Sequence, residues 1–302
     1  MAAPFRPRHQ GQGDGQLPVG VVTDSASSLP GELAAQWGVT VVPMWVTVGT
    51  TAYRDGELAI GEVLSRLGEG LSTSGPGPGD FAQAVEAADT GSGVVILTVS
   101  GQMSSSYEAA RLAAKLLEGG REVAVVDTGT AAGAEGLAVL AASKAARAGL
   151  PLRDVVAASE RAARRARLLA TLPSLEHLAR GGRVPGSAAW GARWLGLHPL
   201  FEFKGGAARP LRPARSAEQA YRRIVDVFAR DLARCPAPAP VVHVAALHAM
   251  DQAAAEDLLA QVRARTKVET AFLSAFSPVM VAHTGPGLVG LAWWLEVGRR
   301  GL

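Results

Sequence analysis

The sequence predicts an α/β protein with two domains, the first built on a largely parallel sheet with helices on both faces. Strand-like and helical segments alternate along the chain, which is typical of parallel sheets connected by helices. The length of 302 residues exceeds that of a typical single domain and allows a large core. We expect a flexible tail over residues 1–16, an N-terminal α/β domain over residues 17–160 and a C-terminal α/β domain over residues 161–302.

The composition indicates a globular protein and argues against several functions. Hydrophobic residues make up 48% and charged residues 19% of the chain, unlike a disordered protein. The net charge is +3 and no Lys/Arg run is interleaved with aromatic residues, so we expect no nucleic-acid binding. No apolar run reaches the roughly 18 residues of a membrane span. The first sixteen residues lack the apolar core of a signal peptide, and we therefore expect a cytoplasmic location.

Short apolar runs followed by polar turns define the elements of the first half. A buried strand over Val19–Val22 precedes a helix start at Ser28 and Pro30, with Gly38 as the C-cap. Further strands are predicted over Thr40–Val48, Val94–Val99 and Glu122–Val126, and helices over Ile60–Leu67, from Asp80, over Ser105–Leu117 and up to Arg147. Ligands bind outside the carboxyl ends of such strands, where Thr/Asp/Ser clusters follow Val22, Val99 and Val126.

The second half begins with an arginine-rich helix and the strand Leu168–Leu172. Leu200–Phe203 and Ala208–Leu211 flank a Lys-Gly-Gly turn and predict a β-hairpin. After a Pro/Ala linker at Pro236–Pro240, strands are predicted over Val241–Leu247, Val268–Leu273 and Val279–Ala282, with a helix over Asp251–Arg263. The run Val279–Ala282 is interpreted as a buried strand because it is short and wholly apolar.

Three hydroxyl-rich segments contain the candidate binding residues. His283 and Thr284 precede a Gly-Pro-Gly turn, and Thr73-Ser74 and Ser104–Ser106 lie near helix starts. A single histidine beside a turn is usually structural, but the three segments together favour a binding site. Hydroxyls, a histidine and helix N-termini suit an anionic headgroup, either a carboxylate or a phosphate. Asp24 is equally consistent with capping a helix or bracing a loop and with a functional role.

Other common chemistries lack their signatures in the sequence. There is no G-x-x-x-x-G-K-[ST] phosphate loop and no G-x-S-x-G nucleophile elbow. Gly285–Gly290 spells G-x-G-x-x-G, but the twelve residues after it are too few for a dinucleotide site. His243 and His248 have poor metal-ligand spacing, and Cys235, as the only cysteine, cannot form an intrachain disulfide or a thiolate cluster. We expect no cofactor and no metal.

Five segments resemble motifs of the bacterial DegV family, in the same order and over nearly the whole chain. They are Thr23-Asp24-Ser25 with Leu29-Pro30 and Tyr53-Arg54-Asp55-Gly56, Thr73-Ser74-x-Pro76-x-Pro78-Gly79-Asp80-Phe81, Ser100–Tyr107, Leu175-Glu176-x-Leu178 with Gly181-Gly182-Arg183, and His283–Gly287. The chain departs from the family pattern at Gly75, which replaces a glutamine, at Ser105, which replaces a glycine, and at Pro185.

The resemblance implies a two-domain α/β fold that holds a long-chain fatty acid between the domains. Family members of this type are fatty-acid-binding subunits of a fatty acid kinase, whose separate ATP-using subunit converts the bound acid to an acyl phosphate for phospholipid synthesis. By position, the resemblance implies carboxylate contacts from Thr73, Ser104 and His283 and from the backbone N–H of Ser105. It places Arg183 near the headgroup or the kinase-docking face.

Two alternatives remain open from the residues alone. The chain could be an enzyme acting on a small carboxylate or phosphate substrate, with His283 as a general base. It could also be a lipid sensor that takes part in no phosphoryl transfer. On the carrier interpretation, the chain itself is not an enzyme, because the kinase subunit carries out the chemistry.

Overall fold

The computed structural model describes residues 17–67, 70–182, 196–237 and 239–297. The predicted tail over residues 1–16, and both Arg183 and Pro185, lie outside the described residues. The strands are β1 (Gly20–Asp24), β2 (Val39–Val42), β3 (Trp45–Val48), β4 (Thr51–Arg54), β5 (Leu71–Ser74), β6 (Val94–Thr98), β7 (Val123–Asp127), β8 (Arg167–Thr171), β9 (His198–Lys204), β10 (Ala207–Ala214), β11 (Val241–His248), β12 (Thr270–Ala275) and β13 (Val289–Glu296). The α-helices are α1 (Gly31–Trp37), α2 (Ile60–Ser65), α3 (Pro78–Ala88), α4 (Ser106–Leu116), α5 (Ala132–Arg147), α6 (Leu152–Arg165), α7 (Glu176–Gly181), α8 (Ala217–Arg234), α9 (Gln252–Arg263) and α10 (Pro278–Thr284).

The first sheet confirms the predicted parallel architecture. Its four strands have the order β2-β1-β6-β7, and all neighbours are parallel. Because side chains alternate along a strand, Val21 and Leu97 face a core shared with α5, whereas Val22 and Ile96 face a core shared with α3 and α4. Helices therefore cover both faces of this sheet, as expected from its continuous apolar strands.

The second sheet is mixed and has six strands in the order β10-β9-β8-β13-β11-β12. Only β11 and β12 are parallel neighbours, and the predicted hairpin is confirmed as β9 and β10. The G-x-G-x-x-G run leads into β13, a central strand that the sequence did not predict. Gly290 lies on this strand, and the position requires glycine because a Cβ there would lie 2.6 Å from the carbonyl oxygen of Leu169.

Helix α5 lies between the two sheets and is shared by their cores. A Cβ at Gly133 would lie 2.5 Å from Cβ of Ala245 on β11, so glycine allows the helix to touch this sheet. Gly136 approaches Phe272 of β12 on the same side. Helices α8 and α9 cover the other face of the six-stranded sheet. The result is five layers, helix–sheet–helix–sheet–helix, and the domain boundary near residue 160 stays a prediction because α6 crosses it.

A small antiparallel sheet with the order β4-β3-β5 lies beside this stack. The prediction of one strand over Thr40–Val48 was wrong, since β2 ends at Val42 and β3 begins at Trp45 in another sheet. Pro43 interrupts the run because proline has no N–H for a strand ladder. Thr73 was expected in a turn but lies on β5, so a strand holds its side chain in place.

The prediction of a strand over Val279–Ala282 was also wrong, because these residues form part of helix α10. Ser277 caps the helix, Pro278 occupies its first turn and Gly285 ends it. Apolar runs of four residues fit either a strand or a buried helix, and these end signals decide between them. No helix of the described residues is both long and apolar enough to span a bilayer.

Candidate functional site

Four of the predicted site residues line one cavity of about 250 Å³. Thr73 comes from the end of β5, Ser104 and Ser105 from the loop before α4, and His283 from the last turn of α10. Elements from both halves of the chain therefore meet here. Arg183, the fifth predicted residue, lies outside the described residues, so its predicted role stays a prediction.

Thr73 and His283 are hydrogen-bonded to each other on the cavity wall. The hydroxyl oxygen of Thr73 lies 2.7 Å from Nε2 of His283, although 210 residues separate them in the chain. The donor in this bond depends on the imidazole tautomer. With Nε2 protonated, His283 donates to Thr73 and leaves the threonine hydroxyl proton available for a ligand oxygen.

The first turn of α10 is anchored by a carboxylate that sequence reasoning did not assign. Asp55 Oδ1 accepts a hydrogen bond of 3.1 Å from the N–H of Val279, and Oδ2 accepts one of 2.6 Å from the hydroxyl of Ser25. Burial raises the pKa of Asp55 above its usual range. Asp55 thus ties the helix that carries His283 to the turn after β1. In the sequence, only the Tyr-Arg-Asp-Gly motif that contains Asp55 could have indicated this role.

The loop before α4 presents a compact group of donors. The hydroxyl oxygens of Ser104 and Ser106 are 2.8 Å apart, and the N–H of Ser106 donates to Ser104 Oγ. The N–H of Ser105 has no hydrogen-bond partner among the described residues. Ser105 has φ −72°, which any residue adopts, so serine fits where the family has glycine.

The backbone of Gly75 lies directly against the hydroxyls of Ser104 and Ser106. A Cβ at this position would lie 2.8 Å from Ser106 Oγ and 3.0 Å from Ser104 Oγ. The serine side chains therefore occupy the space that a larger residue at position 75 would need. The departure at Gly75 therefore fits the serine hydroxyls beside it.

Apart from Ser74, Gly75 and Thr284, the remainder of the cavity wall is apolar. It comprises Ala26, Met44, Val99, Met103, Ala131, Leu178, Val279 and Met280. Three of these are methionines, whose unbranched side chains adapt to irregular shapes. The cavity therefore has hydroxyl, imidazole and amide groups on part of its wall and hydrocarbon on the rest. Such a surface suits an amphiphile with a small polar head.

The turn after His283 requires its two glycines. Gly285 has φ +68° and Gly287 has φ +84°, which are left-handed values that favour glycine. A Cβ at Gly285 would also overlap the ring of His177 in α7. The close approach of this turn to α7 fixes the end of α10, and with it the position of His283.

Asp24 is buried at the end of β1 and braces the turn after β1 against the end of β6. Its two carboxyl oxygens accept hydrogen bonds of 3.1 Å from the N–H groups of Ala26 and Val99. Burial raises the pKa of Asp24 to about 6, even though these amides favour the charged form. The loop-bracing role considered from the sequence is therefore present in the structure.

The other histidine candidates lie away from the cavity. His243 stacks on Trp294, with Nδ1 2.9 Å from Thr270 Oγ1 and Nε2 3.2 Å from Glu296 Oε2. Burial lowers the pKa of His248 below its usual value. The described residues contain no cluster of three or more metal-ligating side chains.

Fold and site together define a layered α/β protein with an internal cavity that is polar on one side and apolar on the other. A family model described as an uncharacterised protein of the DegV family matches residues 18–296. The chain belongs to the DegV family. This confirms the resemblance inferred from the five motifs.

Known relatives match almost end to end. A DegV domain-containing protein of Streptomyces coelicolor is 34% identical over 279 residues, covering 90% of this chain and 97% of that protein. One from Mycobacterium tuberculosis is 33% identical over 286 residues, covering 93% and 98%. A solved structure, described as fatty acid binding of a DegV family protein from Thermus thermophilus, is 33% identical with a TM-score of 0.84 and covers 92% of this chain and 100% of its own.

Proposed function

We propose that this protein binds one long-chain fatty acid, with the carboxylate at Thr73, Ser104, Ser105 and His283 and the hydrocarbon chain against the apolar wall. The observation that carries this proposal is the single cavity in which all four residues border a largely hydrocarbon surface. The fatty acid binding described for the Thermus thermophilus protein, at 33% identity over nearly the whole chain, supports the same ligand class.

The two parts of such a ligand contribute unequally to affinity. Burying about 14 methylenes contributes roughly 11 kcal/mol before association costs, at ~0.8 kcal/mol each. One hydrogen bond to a charged carboxylate contributes roughly 1.5–3 kcal/mol. The hydrocarbon chain therefore supplies most of the affinity, and the hydroxyls, the imidazole and the Ser105 N–H orient the head.

We further propose that the protein presents the bound carboxylate to a separate ATP-dependent kinase, which converts it to an acyl phosphate. The sequence contains no phosphate loop of the G-x-x-x-x-G-K-[ST] type, which fits a division of labour between two proteins. Arg183 is proposed to act near the headgroup or at the kinase-docking face, because a guanidinium suits a carboxylate or phosphoryl group better than an apolar chain.

Mass spectrometry of the natively purified protein tests the ligand. We expect one C14–C18 acid per chain, released on denaturation and replaceable by added palmitate or oleate. Absence of a lipid adduct, together with failure to retain added acid, would refute fatty acid binding. A co-purifying polar metabolite would instead favour the stand-alone enzyme.

Addition of ATP and Mg²⁺ tests the division of labour. The chain alone should form no acyl phosphate from bound acid, and addition of the cognate kinase should produce it. Arg183→Ala should lower that turnover more than it lowers fatty acid binding. Acyl phosphate from the chain alone would place the catalyst here, and binding without turnover by any partner kinase would favour a sensor.

A further inference from the structure

Two carboxyl groups are buried together beneath the hydroxyl side of the cavity. Asp24 ends β1 and Glu135 lies in the first turn of α5, and both residues are 0% exposed. Neither forms an ion pair with a basic side chain among the described residues. Each carboxyl group shifts the pKa of the other, which places the two in contact. Two carboxylates are both acceptors, so a hydrogen bond between them requires that one of them carries a proton.

The partners of each oxygen identify which group holds that proton. Both oxygens of Asp24 accept from backbone N–H groups, as expected for a carboxylate. Glu135 Oε1 accepts from the hydroxyl of Thr23 at 3.2 Å, but Glu135 Oε2 is buried with no N–H or O–H donor among the described residues. A buried carboxyl oxygen that receives no hydrogen bond, in a group beside a carboxylate, is the natural place for the proton. Burial and the nearby Asp24 also raise the pKa of Glu135 well above its usual range.

This pair is connected to the cavity through two serine hydroxyls. The Ser106 side chain lowers the pKa of Asp24, which places its hydroxyl beside that carboxyl, and Ser106 Oγ lies 2.8 Å from Ser104 Oγ. A continuous chain of groups thus runs from Glu135 through Asp24 and Ser106 to Ser104, which lines the cavity.

The protonation state of Asp24 decides which way the hydrogen bonds between these groups point, because each hydroxyl has one proton to donate. If Asp24 is ionised, Ser106 donates to Asp24, and Ser104 then donates to Ser106. A ligand carboxylate must compete for that Ser104 proton. If Asp24 is protonated, it donates to Ser106, Ser106 donates to Ser104, and the Ser104 hydroxyl is free to donate to the ligand.

We propose that Asp24 and Glu135 share one proton in the free protein and take up a second proton from the solvent when a carboxylate ligand binds at Ser104. The inference rests on the proposed binding of a fatty acid carboxylate at this site. Asp24 and Glu135 act as positioning residues, since neither lines the cavity. The added proton resides on Asp24 and reverses the hydrogen bonds of Ser106 and Ser104. Each hydroxyl then donates its proton in the direction of the ligand.

Charge repulsion supplies the driving force for this uptake. In the free protein Asp24 has a pKa of about 6 and is largely ionised at neutral pH. A ligand carboxylate one serine pair away is a like charge in a buried site, which raises the pKa of Asp24 further. Other titratable groups around the pair are Asp127, which acts on Glu135, Asp55 beside the turn after β1, and His283 on the cavity wall.

Calorimetric titration with dodecanoate in phosphate and in Tris measures the protons exchanged per ligand. At pH 7 we expect the wild type to take up close to one proton, and its affinity to fall by up to about tenfold per pH unit above that. Asp24→Asn should abolish the uptake. Glu296→Gln, which changes a half-buried carboxyl that does not line the cavity, should retain it.

Binding without proton uptake by the wild type, or equal uptake by Asp24→Asn, would overturn the proposal while leaving fatty acid binding intact. Complete failure of the wild type to bind dodecanoate or longer acids would instead refute the proposed function, and this inference with it. The two failures are therefore distinguishable.

Infrared difference spectra of the wild type remove the dependence on a variant that could fold poorly. Addition of ¹³C-carboxyl dodecanoate should produce a carbonyl band of a protonated acid at its ¹²C position, because the new proton resides on the protein. A band that shifts with the label would place the proton on the ligand and overturn the proposal. In the free protein, Glu135→Gln should remove the existing acid band, since its amide replaces the protonated carboxyl.

Discussion

The two sheets contribute to the cavity in different ways. The parallel sheet brings polar groups directly from the carboxyl ends of its strands, with Asp24 at the end of β1 and Ser104 just beyond β6. The mixed sheet contributes through short helices appended to it, with Leu178 on α7 and His283 on α10. Most of the cavity hydroxyls therefore come from the first half of the chain, whereas the second half adds the Thr284 hydroxyl, one imidazole and three apolar side chains.

Blocking the apolar wall should have the largest effect. Met103→Trp should obstruct the hydrocarbon chain, and loss of about four buried methylenes at ~0.8 kcal/mol each corresponds to a loss in affinity of roughly 200-fold. Titration with palmitate measures this. Leu112→Trp is the matched control, because Leu112 is exposed on α4 and should leave binding unchanged. Equal affinities of the two variants would show that the hydrocarbon chain of the ligand does not lie against Met103.

The buried acid below the polar side should impose a pH dependence on stability. The folded pKa of Asp24, about 6, is above its unfolded value of 3.8, so its contribution is fully present below pH 4 and is lost as pH rises to 6. Relative to Asp24→Asn, the wild type should lose up to about 3 kcal/mol of unfolding free energy across that window. Urea unfolding at pH 4, 5, 6 and 7 measures the difference. A constant difference between the proteins would contradict the raised pKa.

Removing single headgroup contacts should have a smaller effect. Thr73→Val, Ser104→Ala and His283→Ala should each weaken fatty acid binding by about 10- to 150-fold, corresponding to roughly 1.5–3 kcal/mol. The same variants should bind the corresponding fatty alcohol nearly as well as the wild type, because the lost interaction is with the negative charge. Ser72→Ala, at an exposed neighbouring position on β5, is the control. If the variants lose equal affinity for the acid and for the alcohol, these side chains do not recognise the carboxylate.

Loosening the start of α10 should have the smallest effect. Asp55→Ala removes the acceptor for the Val279 N–H and should destabilise the protein by about 1 kcal/mol, as for loss of a helix cap. Binding should weaken severalfold because His283 is then held less firmly. Thermal unfolding and titration of the same sample measure both changes. Glu57→Ala, in the exposed part of the same turn, should change neither.

The sequence predicted the parallel sheet and the four cavity residues better than it predicted the elements that carry them. His283 was singled out by its motif and lines the cavity, yet it lies on a helix and not after a strand. The four apolar residues before it cannot distinguish the two, and only the Ser-Pro and Gly end signals do. Helix α8, which starts at the Ser216 cap, was not predicted at all although its apolar face packs on the mixed sheet.

Contacts between distant segments were beyond the reach of local patterns. Nothing in the sequence near Thr73 indicates that its hydroxyl meets an imidazole 210 residues away. Asp55 and Glu135 were likewise unassigned, because an acidic residue in a turn or a helix is most often solvated. Their roles depend on burial, which the tertiary fold creates when α5 and α10 pack against the turn after β1.

The shared position of α5 has a consequence for how the chain folds. Fourteen of its sixteen residues are buried, so the helix has no face that can be left in water. Truncation near residue 160 would remove the mixed sheet, which packs against Gly133 and Gly136 of α5. A row of small apolar residues on the helix would then be exposed to water. The two halves should therefore not be separable as independent folding units, and denaturation should proceed as one cooperative transition.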